Sequence, residues 1–531
     1  MRETLSLKNQ RIDVPTDYDR LIQTITLCAP TQKIELDIDV TSNLSLPAIL
    51  ESALLLVAQI ETISSSELAN FFGLNEHELD VLVSDMVASD LVKYNDEGDL
   101  SATPKLIAQR RDGATDNGIS MEEVKNFRTF TYIDQCTGYI QPKSEEDPQK
   151  GLPMLPRMYK GNDYCQVLAN QFDRFKACLP ERLSELKNPK TQLYRVNSAS
   201  VVHSGLPQQI TLNFHAAHDP LKGIRFDTRL VDYKEDHCAL VQKSGLTDIA
   251  VEWLMQQKIK RPTSTLLDYC ELAGDEVIKR YIKNDITGQR QHIDLIRLLH
   301  DRQLRKTSYG NQDIRMIIGP IYAPIASNRE TIRQWVQRQS TNKRMHHGVW
   351  LGADNEFFGA SLGLQSFIRE MNNELQLGDR KSSLNLLFQA NSQGTKNYQA
   401  TLEKANTFGS RLENNLLSFS EGQTDSHLEI LVFPGENGCA LIQYHAQIDV
   451  GIGLGGLTVP IGYFTTDPER VMMLWNILRS RIRSKVTGFN NDTEATDINE
   501  QLECEAKNLD QMLIERSSQH LQALIDKFNS K

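Results

Sequence analysis

Two histidines open apolar stretches of this chain: His347 in His347-Gly-Val-Trp-Leu-Gly-Ala-Asp354, and His427 in His427-Leu-Glu429-Ile-Leu-Val-Phe-Pro434. Each stretch reads as a buried strand headed by an imidazole. Paired imidazoles can divide a group transfer between them, one attacking as nucleophile and the other protonating the leaving oxygen. If the group is a phosphate, the charge developing on its oxygens must meet fixed cationic donors. Two positions after the histidines stand Val349 and Glu429, neither of which can supply one. Arg344, three residues before His347, is the nearest cation that could substitute.

The two stretches resemble the half-motifs of the phospholipase D superfamily, in which His-x-Lys is followed by an Asp five residues after the Lys and then by a Gly-Ser pair. The first copy keeps His347 and Asp354 at the family's spacing, with Ser361 one residue early; the second keeps His427 and has Pro434 in the Asp position. The resemblance implies one site built by two halves, with His347 and His427 as nucleophile and acid. Its departures imply a pseudoenzyme. Replacing both lysines, by Val349 and Glu429, removes contacts worth about 1.5–3 kcal/mol each to a phosphate, and a carboxylate adds repulsion.

The elements that would position these residues follow a repeating order. Arg315-Met-Ile-Ile-Gly-Pro and Leu384-Asn-Leu-Leu-Phe-Gln read as short apolar strands, each followed by a helix and a histidine-led strand. The second half closes with Ala440-Leu-Ile, a glycine-rich break, a strand at Val459-Pro-Ile-Gly-Tyr-Phe and a helix after Asp467. Strands alternating with helices predict a two-lobed α/β module over 256–490, with halves at about 275–378 and 380–490.

At 531 residues and 40% apolar content the chain can bury several cores, and ordinary domain sizes predict about three or four domains. No run of eighteen apolar residues occurs and the first residues lack a signal-peptide core, so the expectation is a cytoplasmic protein without a membrane partner. The eight cysteines form no Cys-x-x-Cys pair, which argues against a zinc ribbon or a disulfide framework. No metal or other cofactor is expected. The net charge of −11 disfavours indiscriminate binding of nucleic acid, yet residues 258–347 hold 17 Lys or Arg against 9 Asp or Glu. This basic stretch runs into the first histidine motif through Lys343 and Arg344, a candidate DNA- or RNA-binding face.

Upstream, residues 45–110 resemble a winged helix-turn-helix domain. An apolar helix at 46–60 precedes Ser64-Ser-Ser-Glu67, a capping box opening a helix that stops at Gly73. Asn75 caps a second helix from Glu76 to about Ser89, and Asn95-Asp-Glu-Gly98 turns a hairpin that would be the wing. The helix in the recognition position carries Glu76, Glu78, Asp80 and Asp85 and no Lys or Arg. Base readout needs donors and backbone contact needs cations, so this acidity favours a protein partner. Only Lys93 and Lys105, with Arg110-Arg111 beyond, could meet DNA.

Residues 1–44 form an N-terminal segment, and 111–255 an α+β middle domain with alternating strands at 127–133, 192–196, 209–215 and 224–230. Gly451-Ile-Gly453-Leu-Gly-Gly456 spells a dinucleotide fingerprint but precedes a strand, not a helix, and reads as a hairpin. Within 491–531, a last amphipathic helix from about Asn499 to Phe528 is a candidate to cap the body or to pair two copies as a homodimer. The fold class is therefore multidomain α/β and α+β. The leading function is a nucleic-acid-associated adaptor or regulator of the kind found in bacterial defence or mobile-element systems, a step that rests on fold analogy. The alternatives are a phosphodiesterase or nuclease using His347 and His427, and a scaffold without nucleic-acid contact.

Overall fold

The computed structural model describes residues 6–7, 10–11, 19–112, 120–143, 152–219, 223–231, 235–259, 264–284, 290–323, 327–341, 347–355, 357–375, 383–389, 416–420, 427–435, 437–448, 456–479 and 492–529. It is a mixed α/β chain with several sheets, divided into two compact units: residues 31–143 with 159–205, and residues 1–30 with 144–158 and 206–531. The first two long strands, β1 (Asp19–Ala29) and β2 (Thr31–Ser45), are separated by Pro30 and belong to different units.

In the smaller unit β2 leads into α1 (Ala48–Ile60), β3 (Thr62–Ile63), α2 (Ser65–Phe72), α3 (Glu76–Ala88), β4 (Val92–Tyr94), β5 (Leu100–Ala102) and α4 (Pro104–Asp112). The three short strands form an antiparallel sheet in the order β3-β5-β4. Local chemistry sets these boundaries. Ser64 and Asn75 each complete a capping box, with Glu67 and Glu78, and Gly73 ends α2 in the left-handed conformation that glycine takes without penalty. Leu54, Val57, Leu68, Leu82, Met86, Val92 and Leu100 interlock in a core of the module's own.

The chain then returns as β6 (Ser120–Asp134), which pairs with β2 along its whole length, from Ser45↔Ser120 to Thr31↔Asp134. With β7 (Ile140–Gln141) and β8 (Gln192–Ser204) they form a four-stranded sheet in the order β8-β2-β6-β7. Alternate β2 residues Ile34, Leu36, Ile38 and Val40 pack with α5 (Tyr164–Asn170) and α6 (Phe172–Cys178) through Leu168, Phe172 and Phe175. The expected boundaries at 44 and 111 therefore give way. A strand from the N-terminal segment and strands from the middle segment share this sheet because antiparallel partners are recruited across large sequence separations.

The larger unit holds the rest of the expected middle domain, β9 (Gln208–Asp219) and β10 (Gly223–Val231), in a sheet ordered β10-β9-β1. After α7 (Leu295–Gln303) comes a seven-stranded sheet interleaved with helices: β11 (Ile314–Ile318), α8 (Ser327–Thr341), β12 (His347–Leu351), α9 (Leu362–Leu375), β13 (Ser383–Gln389), β14 (Leu416–Ser420), β15 (Leu428–Phe433), β16 (Cys439–Gln447) and β17 (Thr458–Thr465). Its order is β11-β17-β16-β15-β12-β13-β14, parallel among β12, β13 and β14 and antiparallel elsewhere. Strands from both expected halves are interleaved in this one sheet, so the sheet is not divided into the expected two lobes. Helices α8 and α9 bury one face through Trp335, Phe367 and Met371 against Trp350, Leu431, Phe433 and Leu441. On β15, β16 and β12 pack α10 (Pro468–Arg479) and α11 (Asp492–Asn529). Coverage of both faces explains why β12 and β15 read as continuous apolar runs rather than alternating ones.

Helix α11 starts about seven residues earlier than the amphipathic pattern suggested. Ala506 and Leu509 are buried, whereas Ile514 and Leu521 are both 60% exposed. No described helix is long and apolar enough to cross a membrane.

Candidate functional site

The strand register decides what the two motif histidines can do together. Strands β12 and β15 are antiparallel, with Val349↔Val432, Trp350↔Leu431 and Leu351↔Ile430. His347 heads β12 and His427 immediately precedes β15, so they lie at opposite ends of the sheet, seven positions or about 23 Å apart along the strands. Directly opposed residues share a face and neighbours alternate. His427 and Glu429 therefore project on the side of Leu431 and Trp350, and His347 and Val349 on the other. The structure does not bring the two imidazoles together, and no phosphate could touch both. The physical reason is that two like-patterned segments were joined as antiparallel neighbours in one sheet, which reverses one relative to the other.

Ser361 and Asp354 also take separate places. Buried Ser361 caps α9, its Oγ accepting from the Gly363 amide at 3.1 Å. Asp354 is half-buried beyond the end of β12. Lys343 and Arg344 lie outside the described residues, as does most of the glycine-rich 451–456 segment.

What does assemble is a buried polar network at the His427 end. Glu429, 1% exposed, accepts from Trp350 Nε1 at 2.9 Å and from His445 Nε2 at 2.8 Å. His445 Nδ1 faces Asn355 Nδ2 at 3.1 Å, and Asn355 Oδ1 accepts from the Phe357 amide at 3.1 Å. Because that amide contact turns the Asn355 NH2 toward the ring, Nδ1 of His445 must accept and Nε2 must carry the hydrogen. The imidazole thus directs its Nε2–H to Glu429. His427 Nδ1 meets the His445 carbonyl at 2.5 Å. Burial, and secondarily Glu429, push the nearby Tyr322 phenol above its ordinary range. Every member is closed against solvent, so this network holds strands together rather than offering a reactive atom.

Asn355 and His445 were missed in the sequence because they belong to no motif. The signal was present in the alternation of β16, which sets His445 on the same face as Gln443, opposite Glu429.

On the smaller unit the exposed residues of α3 are Glu76, His77, Glu78, Asp80, Val81, Ser84, Asp85, Val87 and Ala88. Val81 is 50% exposed and Phe71, on α2, 68%. Lys93 on β4, paired with Ser101, and Lys105 in the first turn of α4 are both exposed. The exposed Lys93 and Lys105 therefore sit on other elements than the exposed carboxylates of α3.

No family model and no curated protein matches the chain. Among solved structures it is similar to TrmBL2, an archaeal chromatin protein reported to show a novel mode of DNA binding. That likeness has 10% identity and a TM-score of 0.20, and covers 50% of this chain and 74% of the other. A TM-score of this size does not establish a shared fold.

A second cluster was not anticipated as a unit. Arg302 and Arg305, noted only as part of the basic stretch, close the end of α7, and Arg20 comes from β1. The helix ends in a Schellman motif: the Arg305 amide reaches the Arg302 carbonyl at 3.0 Å and the Lys306 amide the Asp301 carbonyl at 2.8 Å. Arg305 occupies the left-handed position, at φ 56°, which glycine favours and which costs a side-chain-bearing residue about 1–2 kcal/mol. Among the described residues no group of three or more His, Cys, Asp or Glu could hold a metal ion.

Proposed function

We propose that the chain is a nucleic-acid-associated adaptor in which residues 45–110 act as a winged helix with divided loyalties, the wing side touching phosphates and α3 engaging a basic protein. The observation that carries this reading is the exposed surface of α3, with four carboxylates, Val81 and no Lys or Arg. A helix so charged is repelled from a major groove, which removes the usual recognition role and leaves Lys93 and Lys105, with Arg110-Arg111 beyond, as the contacts this module offers a duplex. The sealed Glu429–His445 network and the separation of His347 from His427 support a body without phosphodiesterase chemistry.

Fluorescence anisotropy of a labelled DNA duplex, titrated with the full chain at several salt concentrations, tests the reading. Lys93→Glu with Lys105→Glu should weaken binding and flatten the log Kd against log salt slope by about two. Glu76→Lys with Asp80→Lys should strengthen it. Unchanged affinity in both double variants would remove the module from nucleic-acid contact.

A further inference from the structure

In the larger unit a cavity of about 270 Å³ is lined by Arg20 of β1, Ala217 of β9, Ile224 of β10, and Arg302, Gln303 and Arg305 at the end of α7. Three guanidinium-bearing residues converge there, and no carboxylate is among the described lining residues. Arg302 donates to the Met316 carbonyl at 3.1 Å and makes no ion pair among the described residues, leaving four of its five N–H groups for other acceptors. Burial, and secondarily Arg20, push it down to about 9, so it stays cationic at neutral pH and bears the cost of two like charges set side by side. Arg20 and Arg302 are half-buried and Arg305 is exposed, so an anion seated among them would gain charge-assisted hydrogen bonds partly screened from water. Arg305 adds a further guanidinium, carried at a left-handed position that glycine would relieve.

We propose that this cavity binds a phosphoryl group, free or carried by a small metabolite, held by the donors of Arg302, Arg305, Arg20 and Gln303. Planar guanidinium forks match tetrahedral oxyanions in paired hydrogen bonds, which favours phosphoryl over a halide. The apolar wall of Ala217, Ile224 and Leu299 accommodates a short carbon skeleton, and the volume falls below that of drug-sized pockets. This site is independent of the proposed duplex contacts, which lie on the other unit.

Isothermal titration of the full chain at fixed ionic strength, with inorganic phosphate, ribose 5-phosphate and ribose, tests it. Saturable one-site binding is expected for the phosphorylated probe or for phosphate itself, the tighter of the two naming the source, and none for ribose. Arg302→Gln and Arg305→Gly should each weaken binding tenfold or more, the loss of one charge-assisted contact. Arg305→Gly should do so while leaving the melting temperature of the unliganded chain equal or higher, since glycine suits the left-handed turn. A merely structural arginine would not separate binding from stability in this way. Lys507→Gln, an exposed change on α11, should bind like the parent. The proposal is overturned by equal affinity in parent, Arg302→Gln and Arg305→Gly, or by no saturable heat with either anion up to about 10 mM, where affinity falls below any useful specificity.

Discussion

Replacing Glu429 by Gln is the sharpest probe of the larger unit, because the consequence follows from counting donors and acceptors. In the parent, two N–H groups, Trp350 Nε1 and His445 Nε2, converge on two carboxylate oxygens at 2.9 and 2.8 Å. The amide keeps one acceptor and turns an NH2 against the remaining N–H. His445 cannot switch tautomer to escape, since Asn355 already donates to Nδ1. One charge-assisted hydrogen bond is lost, about 1.5–3 kcal/mol, and one buried donor is stranded, about 1–3 kcal/mol. Relief from burying a charge offsets part of this, so a net loss of about 3 kcal/mol is expected, as for buried pairs broken on one side. All four tryptophans, Trp253, Trp335, Trp350 and Trp475, belong to this unit. Intrinsic fluorescence during urea unfolding therefore reports it without interference from the other unit. Glu429→Met combined with His445→Phe should recover about 2 kcal/mol over the sum of the single changes, because both partners leave together. If Glu429→Gln unfolds at the parent's midpoint, the carboxylate is not structural, and the network would have to be kept for chemistry instead.

Two further outcomes follow from packing and charge. Gly462→Ala drives a Cβ into the Ile442 carbonyl oxygen and to 2.9 Å from the Gln443 Cα in the middle of the sheet, so the same fluorescence transition should lose about 3 kcal/mol or more; parent-like stability would mean that β16 and β17 are not in this register. Buried Asp275 accepts from Tyr269, Tyr309 and the Ile278 amide, yet burial outweighs these bonds and raises its carboxyl above the ordinary value. A raised carboxylate binds protons more readily folded than unfolded, so its penalty is absent below the unfolded value near 4 and grows as pH rises through the folded one. The stability of the parent relative to Asp275→Asn should therefore improve as pH is lowered from 7 toward 4; a constant difference across urea titrations at these pH values would contradict the assignment.

Local chemistry was legible in the sequence wherever partners lie within a few residues. The Ser64–Glu67 and Asn75–Glu78 boxes, the stop at Gly73 and the turn at Asn95–Gly98 all stand where the spacing places them. Alternation likewise located part of β6 and β8 and most of β9 and β10. Partnership did not follow from it. Nothing near Thr31 announces that β2 runs between strands drawn from 120–134 and 192–204, since that choice is set by burial on one face of a sheet assembled from distant segments. The histidine motifs failed for the same reason. Letter spacing records distance along one strand, whereas a shared site depends on the direction and face of two, and here both were opposed. Of the arginine cluster only Arg302 and Arg305 fell within the basic stretch, with Arg20 contributed from nearly three hundred residues earlier.

The full-length pairing of β2 with β6 also bears on how such a chain is put together. Ser45 and Ser120 face each other across a single strand spacing, about 5 Å, so everything from 46 to 119 hangs from two adjacent attachment points, as a tool does from a bayonet mount. An Asn-Gly hairpin could close that gap without costing any ladder residue its neighbour, and a foreign module whose own ends lie close together could be plugged in its place. The receiving sheet thereby separates the evolution of what is displayed from the evolution of what displays it.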